Sequence, residues 1–232
     1  MAKASSLSLS CALSDSSSIS RLEGAYPPVK KLRLGFLASH GGSNMQAIID
    51  ACKEGRLDAE PSVVISNNSD STALERARRE GIPGYHLSSK THPQPWQLDE
   101  AILNALEKHS VDLVILAGYM KLLGPLTLAH YMGRILNIHP ALLPKFGGKG
   151  LYGRLVHEAV LASGEPATGV TIHLVDENYD RGPIIAQSEV PVLDDDTPDT
   201  LAARVLKREH QLFAETLQKI ATGEIDLDAI RL

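Results

Sequence analysis

An asparagine and a histidine stand at alternate positions at the end of an apolar run, as Asn137 and His139. Successive residues of a β-strand point to opposite faces, so an extended chain here places both side chains on one face. Pro140 has no N–H to donate and ends the predicted strand. Polar groups at the carboxyl end of a strand are typical of a ligand cleft in an α/β sheet. The alternative is a surface histidine beside a capping asparagine.

A possible partner for this histidine is Asp180, in the polar segment 176–182 between two predicted strands. A nearby carboxylate favours the imidazolium and is expected to raise the pKa of His139, which suits a general acid. The amide of Asn137 could donate hydrogen bonds to a developing oxyanion. These residues include no nucleophile, so we predict direct transfer between two bound substrates. A solvated loop carboxylate is the alternative for Asp180.

Residues 39–44, Ser-His-Gly-Gly-Ser-Asn, lie between a predicted strand and a predicted helix. Glycines allow close approach of the backbone to an anion, and a helix N-terminus offers free N–H groups. The spacing fits neither the dinucleotide GxGxxG motif nor a P-loop. We therefore predict a site for a phosphate monoester, with a plain tight turn capped by Ser43 as the alternative.

Short apolar segments alternate with segments of helical periodicity in the first part of the chain, which predicts βαβ units and a parallel sheet. The predicted strands lie at 32–38, 63–65, 85–87 and 113–116. Residues 170–175 and 184–190 are joined by a short loop, which favours an antiparallel pair. Thr197 and Pro198 open the last helix. The predicted fold is α/β and Rossmann-like: an open, twisted, mixed sheet, mostly parallel, with helices on both faces.

Composition narrows the setting and the partners. The net charge of −5 over 232 residues gives no general attraction to nucleic acid or to an anionic membrane. No apolar run approaches the roughly 20 residues of a membrane span. Cys11 and Cys52 are too few for a disulfide framework and lack metal-site spacing, which favours a reducing compartment such as the cytoplasm. The sequence leaves monomer and homodimer open.

The first thirty residues differ from the remainder. Residues 1–20 contain nine serines, and such a segment buries too little apolar surface to offset its ordering entropy. We predict that residues 1–30 form a disordered leader and that residues 31–232 form the folded domain. A serine-rich, acid-poor start is also compatible with an organelle transit peptide, which would place the protein in a plastid.

Residues 134–144, RILNIHPALLP, resemble the signature of the folate-dependent formyltransferases. Segments 116–120, 169–173 and 204–210 agree with that family in order and spacing, and the resemblance runs from about residue 32 to residue 220. It implies transfer of a formyl group from 10-formyltetrahydrofolate to the amine of phosphoribosylglycinamide. Small-molecule substrates and no metal are implied as well.

The resemblance also assigns residues by position. The implied catalytic residues are Asn137, His139 and Asp180. The implied ribonucleotide contacts are Gly42, Ser43 and Asn44 at the phosphate and Glu209 at the ribose. The implied folate contacts are Met120, Lys121, Leu122, Leu123 and Asn137, with the segment 176–180. Residues 31–133 then form a phosphoribosyl-binding half, and residues 134–232 form a catalytic and folate-binding half.

One departure from the family and two alternative functions stay open at this stage. Residues 146–153 form a longer glycine-rich loop than the best-known members have, although a Gly-Gly-Lys-Gly version also occurs in the family. A formyltetrahydrofolate hydrolase would use the same three catalytic residues with water. A non-catalytic phosphoribosyl-binding protein would keep the loop at 39–44 without needing Asn137, His139 and Asp180 together.

Overall fold

A seven-stranded sheet organises the part of the chain that the computed structural model describes, residues 31–231. The predicted leader, residues 1–30, lies outside the described residues. The strands are β1 (Leu32–Leu37), β2 (Ala59–Ser66), β3 (Gly84–His86), β4 (Leu113–Leu116), β5 (Ile135–His139), β6 (Ala167–Leu174) and β7 (Ile184–Pro191). Their order across the sheet is β3-β2-β1-β4-β5-β6-β7. The first five strands are parallel, whereas β6 is antiparallel to both β5 and β7.

Helices cover both faces of this sheet. They are α1 (Ser43–Lys53), α2 (Thr72–Arg79), α3 (Pro95–Lys108), α4 (Pro125–His130), α5 (Arg154–Ser163) and α6 (Pro198–Ala221). Alternate residues of β4 enter different apolar cores, with Ile115 in one and Val114 in the other. The first core contains residues of α1, α2, α5 and α6, and the second contains residues of α3. The predicted mixed, mostly parallel α/β sheet is therefore confirmed.

The clearest departures from the sequence prediction are the start of β2 and the presence of α4, whereas β3 and β6 differ from it by one to three residues at their ends. β2 starts at Ala59, four residues before the predicted strand, because Glu60 and Pro61 interrupt the apolar pattern there. The proline is tolerated because β2 pairs with β3 only over Val64–Ser66, so its earlier part lies at an edge of the sheet. Helix α4 was not predicted, since six residues are too few to display a helical period.

The carboxylate of Asp99 positions the segment between β4 and α4. Asp99 is buried and accepts hydrogen bonds from the backbone N–H groups of Leu126 (2.7 Å) and Thr127 (3.1 Å) at the start of α4. A Cβ atom at Gly124 would overlap this carboxylate, so glycine permits the close approach. The carboxylate thereby fixes the end of the segment that carries residues 120–123. Among the described residues, no helix is both long enough and apolar enough to cross a membrane.

Candidate active site

A cavity of about 720 Å³ opens at the carboxyl ends of β1, β4 and β5. In the sheet, β2 lies on one side of β1 and β4 lies on the other, so the strand order reverses direction at β1. Ligand crevices of α/β sheets form at such reversals. The residues named from the sequence that line the cavity are Asn44, Met120, Lys121, Leu122, Leu123, Asn137, His139, Asp180 and Glu209. Gly42 and Ser43 are not among its lining residues.

His139 is buried at the end of β5 and both of its ring nitrogens face polar groups. Its Nε2 lies 2.8 Å from the carbonyl oxygen of Phe146. A carbonyl can only accept, so Nε2 carries a proton and donates it to Phe146. Its Nδ1 lies 3.6 Å from Oδ2 of Asp180. The structure thus brings together the histidine and the carboxylate that the sequence singled out, from positions 41 residues apart.

The path of the chain to Asp180 is indirect. Strand β6 is antiparallel to β5, and its last residue, Leu174, pairs with Leu136 near the start of β5. The β6–β7 loop therefore starts at the end of β5 that is remote from His139. The loop then folds back toward His139. Gly182 makes this possible, since a Cβ atom there would overlap the carbonyl oxygen of Leu174.

Both protein partners of the His139 ring lie on strained backbone. Asp180 has φ 54° and Phe146 has φ 57°, in the left-handed region that non-glycine residues rarely adopt. Such a conformation costs roughly 1–2 kcal/mol per residue. Strain of this kind concentrates where surrounding structure holds a functional group in place. Here the strained residues are the two, Phe146 and Asp180, that contact the imidazole of His139.

The protonation of this pair differs from the expectation. Burial lowers the pKa of His139, and although Asp180 and the Phe146 carbonyl oppose that effect, the pKa stays below its usual value. The predicted rise of the His139 pKa is therefore wrong, because desolvation outweighs the carboxylate. Burial raises the pKa of Asp180, but its contacts with His173 and with the Gly148 N–H outweigh this and bring the pKa below its usual value. The resting site thus favours a neutral imidazole beside an ionised carboxylate.

Asn137 is oriented by a second buried histidine. His173 directs Nδ1 to the Leu174 carbonyl oxygen at 2.8 Å, so its proton lies on Nδ1. In the neutral ring, Nε2 of His173 accepts a hydrogen bond from Nδ2 of Asn137 at 3.0 Å. The same nitrogen lies 3.6 Å from Oδ1 of Asp180, which it faces as a donor when the ring is protonated. One amide hydrogen of Asn137 is used in this way. The other is free to point toward a substrate oxygen.

The segment that follows β5 is held by Thr171, which sequence reasoning did not identify. Its hydroxyl donates to the Ala141 carbonyl at 2.6 Å. It accepts from the N–H of Leu143 at 3.0 Å and from Nε2 of Gln187 at 2.9 Å. A hydroxyl has one donor and two acceptor positions, so Thr171 is fully used. Alternate residues of a strand lie on one face, so Thr171 and His173 in β6 share a face. This spacing is the sequence feature that could have identified Thr171 from His173.

The loop after β1 leads directly into α1. Gly42 is the N-cap with φ 63° and no side chain caps the helix, so the alternative of Ser43 as N-cap is wrong. The first N–H groups of α1 are consequently open to an anion. Nε of Arg76 donates to the carbonyl oxygen of Gly41 at 2.9 Å and thereby ties this loop to α2.

Asn44 and Glu209 form a buried pair at one end of the cavity. Nδ2 of Asn44 donates to Oε2 of Glu209 at 2.6 Å across 165 residues of sequence. Burial raises the pKa of Glu209 to about 7, although the hydrogen bond from Asn44 opposes this effect. Oδ1 of Asn44 is buried and has no hydrogen-bond partner among the described residues. An acceptor and a partly protonated carboxyl group are therefore available to a polar ligand.

The segment after β4 supplies an apolar wall. The N–H of Met120 donates to Oγ of Ser39 at 2.7 Å, which joins this segment to the end of β1. The side chains of Met120 and Leu122 are 41% and 56% exposed, whereas Leu123 is buried. Exposed apolar side chains beside a cavity favour a ligand with an apolar part. Within the described residues, no group of three or more His, Cys, Asp or Glu side chains is arranged to hold a metal ion.

Comparison with known proteins places this chain in the formyl transferase family. The model of the formyl transferase family matches residues 32–217, and the chain belongs to that family. A relative from Vigna unguiculata, named phosphoribosylglycinamide formyltransferase, chloroplastic, is 44% identical over 198 residues, which cover 85% of this chain. The chain spans 63% of the length of that relative.

Solved structures agree with this placement. Glycinamide ribonucleotide transformylase 1 from Symbiobacterium toebii is 41% identical, with a TM-score of 0.78 over 83% of this chain and 89% of that chain. A formyltetrahydrofolate deformylase from Pseudomonas syringae is 25% identical, with a TM-score of 0.73 over 84% of this chain and 62% of that chain. The fold is thus shared by enzymes named for two different reactions.

The protonation of His139 is directly measurable. Because burial lowers its pKa, we expect its imidazole carbon and proton resonances to titrate with a midpoint below the usual value near 6.5. Asp180→Asn should lower the midpoint further, since the carboxylate favours the imidazolium. Nuclear magnetic resonance of 13C-labelled histidine reports both values. A midpoint above 6.5, or one that Asp180→Asn leaves in place, would contradict this electrostatic account.

Glu209→Gln should stabilise the protein without substrates. The folded-state pKa is raised from 4.5 to about 7, so ionising Glu209 costs folding free energy between those pH values. The difference between the two pKa values corresponds to about 3 kcal/mol. In urea unfolding, the variant should match the parent near pH 4 and exceed it above pH 7. Glu215→Gln, at an exposed position of the same helix, is the control and should show no such gain.

Proposed function

We propose that this protein transfers the formyl group of 10-formyltetrahydrofolate to the amine of phosphoribosylglycinamide, a step of purine biosynthesis. The observation that supports this most directly is a single cavity shared by Asn137, His139 and Asp180 with the Asn44–Glu209 pair, in a member of the formyl transferase family. The uncapped start of α1 next to it suits the phosphate. The apolar wall at residues 120–123 suits the pterin of the folate.

The reaction we propose proceeds by direct transfer. The amine nitrogen attacks the formyl carbon, and the carbonyl electron pair moves to oxygen, where the remaining amide hydrogen of Asn137 stabilises the negative charge. His139 takes up the amine proton on Nδ1, and Asp180 stabilises the imidazolium that forms. The same proton passes to N10 of the folate as the bond between carbon and N10 breaks. No covalent intermediate with the protein is required.

The lowered pKa of His139 fits this sequence of steps. A neutral imidazole is ready to accept a proton from the amine, and it becomes the acid only after doing so. Desolvation keeps the resting ring neutral, while Asp180 limits how far the pKa falls. The carboxylate is therefore proposed as a stabiliser of the transient charge and as the group that orients the ring.

The location of the protein stays a prediction. The scarcity of cysteine favours a reducing compartment such as the cytoplasm. The names of the relatives from Vigna unguiculata and Arabidopsis thaliana include the word chloroplastic, which supports the transit-peptide alternative for residues 1–30. Both settings suit small-molecule substrates. Monomer and homodimer both stay open.

An assay with purified protein tests the proposal. With 10-formyltetrahydrofolate, we expect deformylated folate to form only when phosphoribosylglycinamide is present, in equal amount to formylated product. His139→Ala should lower turnover roughly 10²- to 10⁴-fold, the usual contribution of a positioned acid or base. His130→Ala, at the surface, is the matched control and should leave turnover unchanged.

Two outcomes would contradict the proposal. Equal release of folate product without the amine would identify a hydrolase, as the Pseudomonas syringae likeness allows. Full turnover by His139→Ala would remove this histidine from the mechanism.

A further inference from the structure

Lys149 lies at the cavity without a partner from the protein. Its side chain is exposed, and within the described residues it makes no hydrogen bond or ion pair. The neighbouring glycines, Gly148 with φ 100° and Gly150 with φ 94°, adopt conformations that other residues rarely take. By contrast, Lys145 in the same segment pairs with Glu165 at 2.8 Å and does not line the cavity.

The loop that carries Lys149 is fastened to the catalytic residues on both sides of Gly147. The carbonyl of Phe146 accepts from His139, and the N–H of Gly148 donates to Oδ2 of Asp180 at 2.9 Å. A Cβ atom at Gly147 would overlap Leu143, so the loop packs closely at this point. The position of Lys149 is thus determined by the same contacts that hold the catalytic side chains.

Among the described residues, no carboxylate that lines the cavity forms an ion pair with this lysine. Among the lining residues, Asp180 faces two histidines and Gly148, and Glu209 is held by Asn44. Asp176 accepts from the N–H of Asn178 at 2.6 Å. A substrate that covers the cavity would remove water from the ammonium group. A charge that loses its water requires an opposite charge in return.

The packing of the loop indicates which substrate meets Lys149. Phe146 packs against the apolar core that also contains residues of α1 and α6, the helices that carry Asn44 and Glu209. Lys121, the other lysine of the cavity, lies on the segment that ends at Leu123 in the opposite core. The segment that carries Lys149 therefore packs on the face of the sheet that we assign to the ribonucleotide, and the segment that carries Lys121 packs on the face that we assign to the folate.

We infer that Lys149 binds the phosphate of the ribonucleotide and makes the enzyme prefer a phosphorylated acceptor over an unphosphorylated one. This inference rests on the proposed function. The start of α1 offers N–H groups and a partial positive charge to one side of the phosphate. Lys149 supplies a full positive charge from the glycine loop.

Lys149→Met tests the inference by steady-state kinetics. We expect the KM for phosphoribosylglycinamide to rise roughly 10- to 100-fold, the usual effect of losing one hydrogen bond to a charged group. The kcat and the KM for 10-formyltetrahydrofolate should change less than about twofold. With unphosphorylated ribosylglycinamide as acceptor, the substitution should have no effect. Lys149→Arg should restore most of the affinity, and Lys145→Met should behave as the parent.

Each other outcome overturns the inference. A rise in the KM for the folate alone would assign Lys149 to the carboxylates of the folate tail. An equal loss with the unphosphorylated acceptor would show that the substitution merely disturbs the loop. No change with either acceptor would leave the lysine without a role in binding.

A calorimetric titration with phosphoribosylglycinamide alone keeps the two proposals separate. If the parent protein transfers no formyl group, the proposed function fails, yet weaker binding by Lys149→Met would still support the phosphate contact. If the parent is active and both proteins bind the ribonucleotide equally, the proposed function stands and the inference about Lys149 fails.

Discussion

The site depends on how one buried imidazole is held. His139 donates from Nε2 to the Phe146 carbonyl and presents Nδ1 to Asp180. The loop at residues 146–153 and the β6–β7 loop therefore both contact the same ring. Burial favours the neutral ring, and the carboxylate limits that preference. A neutral ring next to a fixed negative charge can accept a proton and keep it briefly, as proton transfer between two bound substrates requires.

Several features of the cavity reduce stability in favour of function. Asp180 and Phe146 adopt left-handed backbone conformations, and Glu209 is buried with its pKa raised to about 7. Each of these costs folding free energy in the protein without substrates. The sheet and its two apolar cores supply the stability that offsets them. Costs of this kind are typical of active sites, where groups are kept ready for a ligand rather than for each other.

The sequence predicts the elements of this protein better than their contacts. Local patterns suffice for β4, whose bounds match the apolar segment, and for α6, which begins with Thr197 and Pro198 as expected. They cannot reveal that Gly182 lets the β6–β7 loop turn back to His139, because that depends on an antiparallel register. The local patterns also predicted a raised pKa for His139, whereas its pKa is lowered. A carboxylate is visible in a sequence, whereas the desolvation that outweighs it arises only from packing.

A crystal structure with phosphoribosylglycinamide and a non-transferable folate analogue would test the central claim most directly. The account predicts the reacting amine roughly 3–3.5 Å from the carbon that replaces the formyl group, with the attached oxygen about 3 Å from Nδ2 of Asn137 and His139 adjacent to both. A complex in which both ligands are bound but the reacting atoms lie far from His139 and Asn137, with Asp180 turned away from the imidazole, would contradict it.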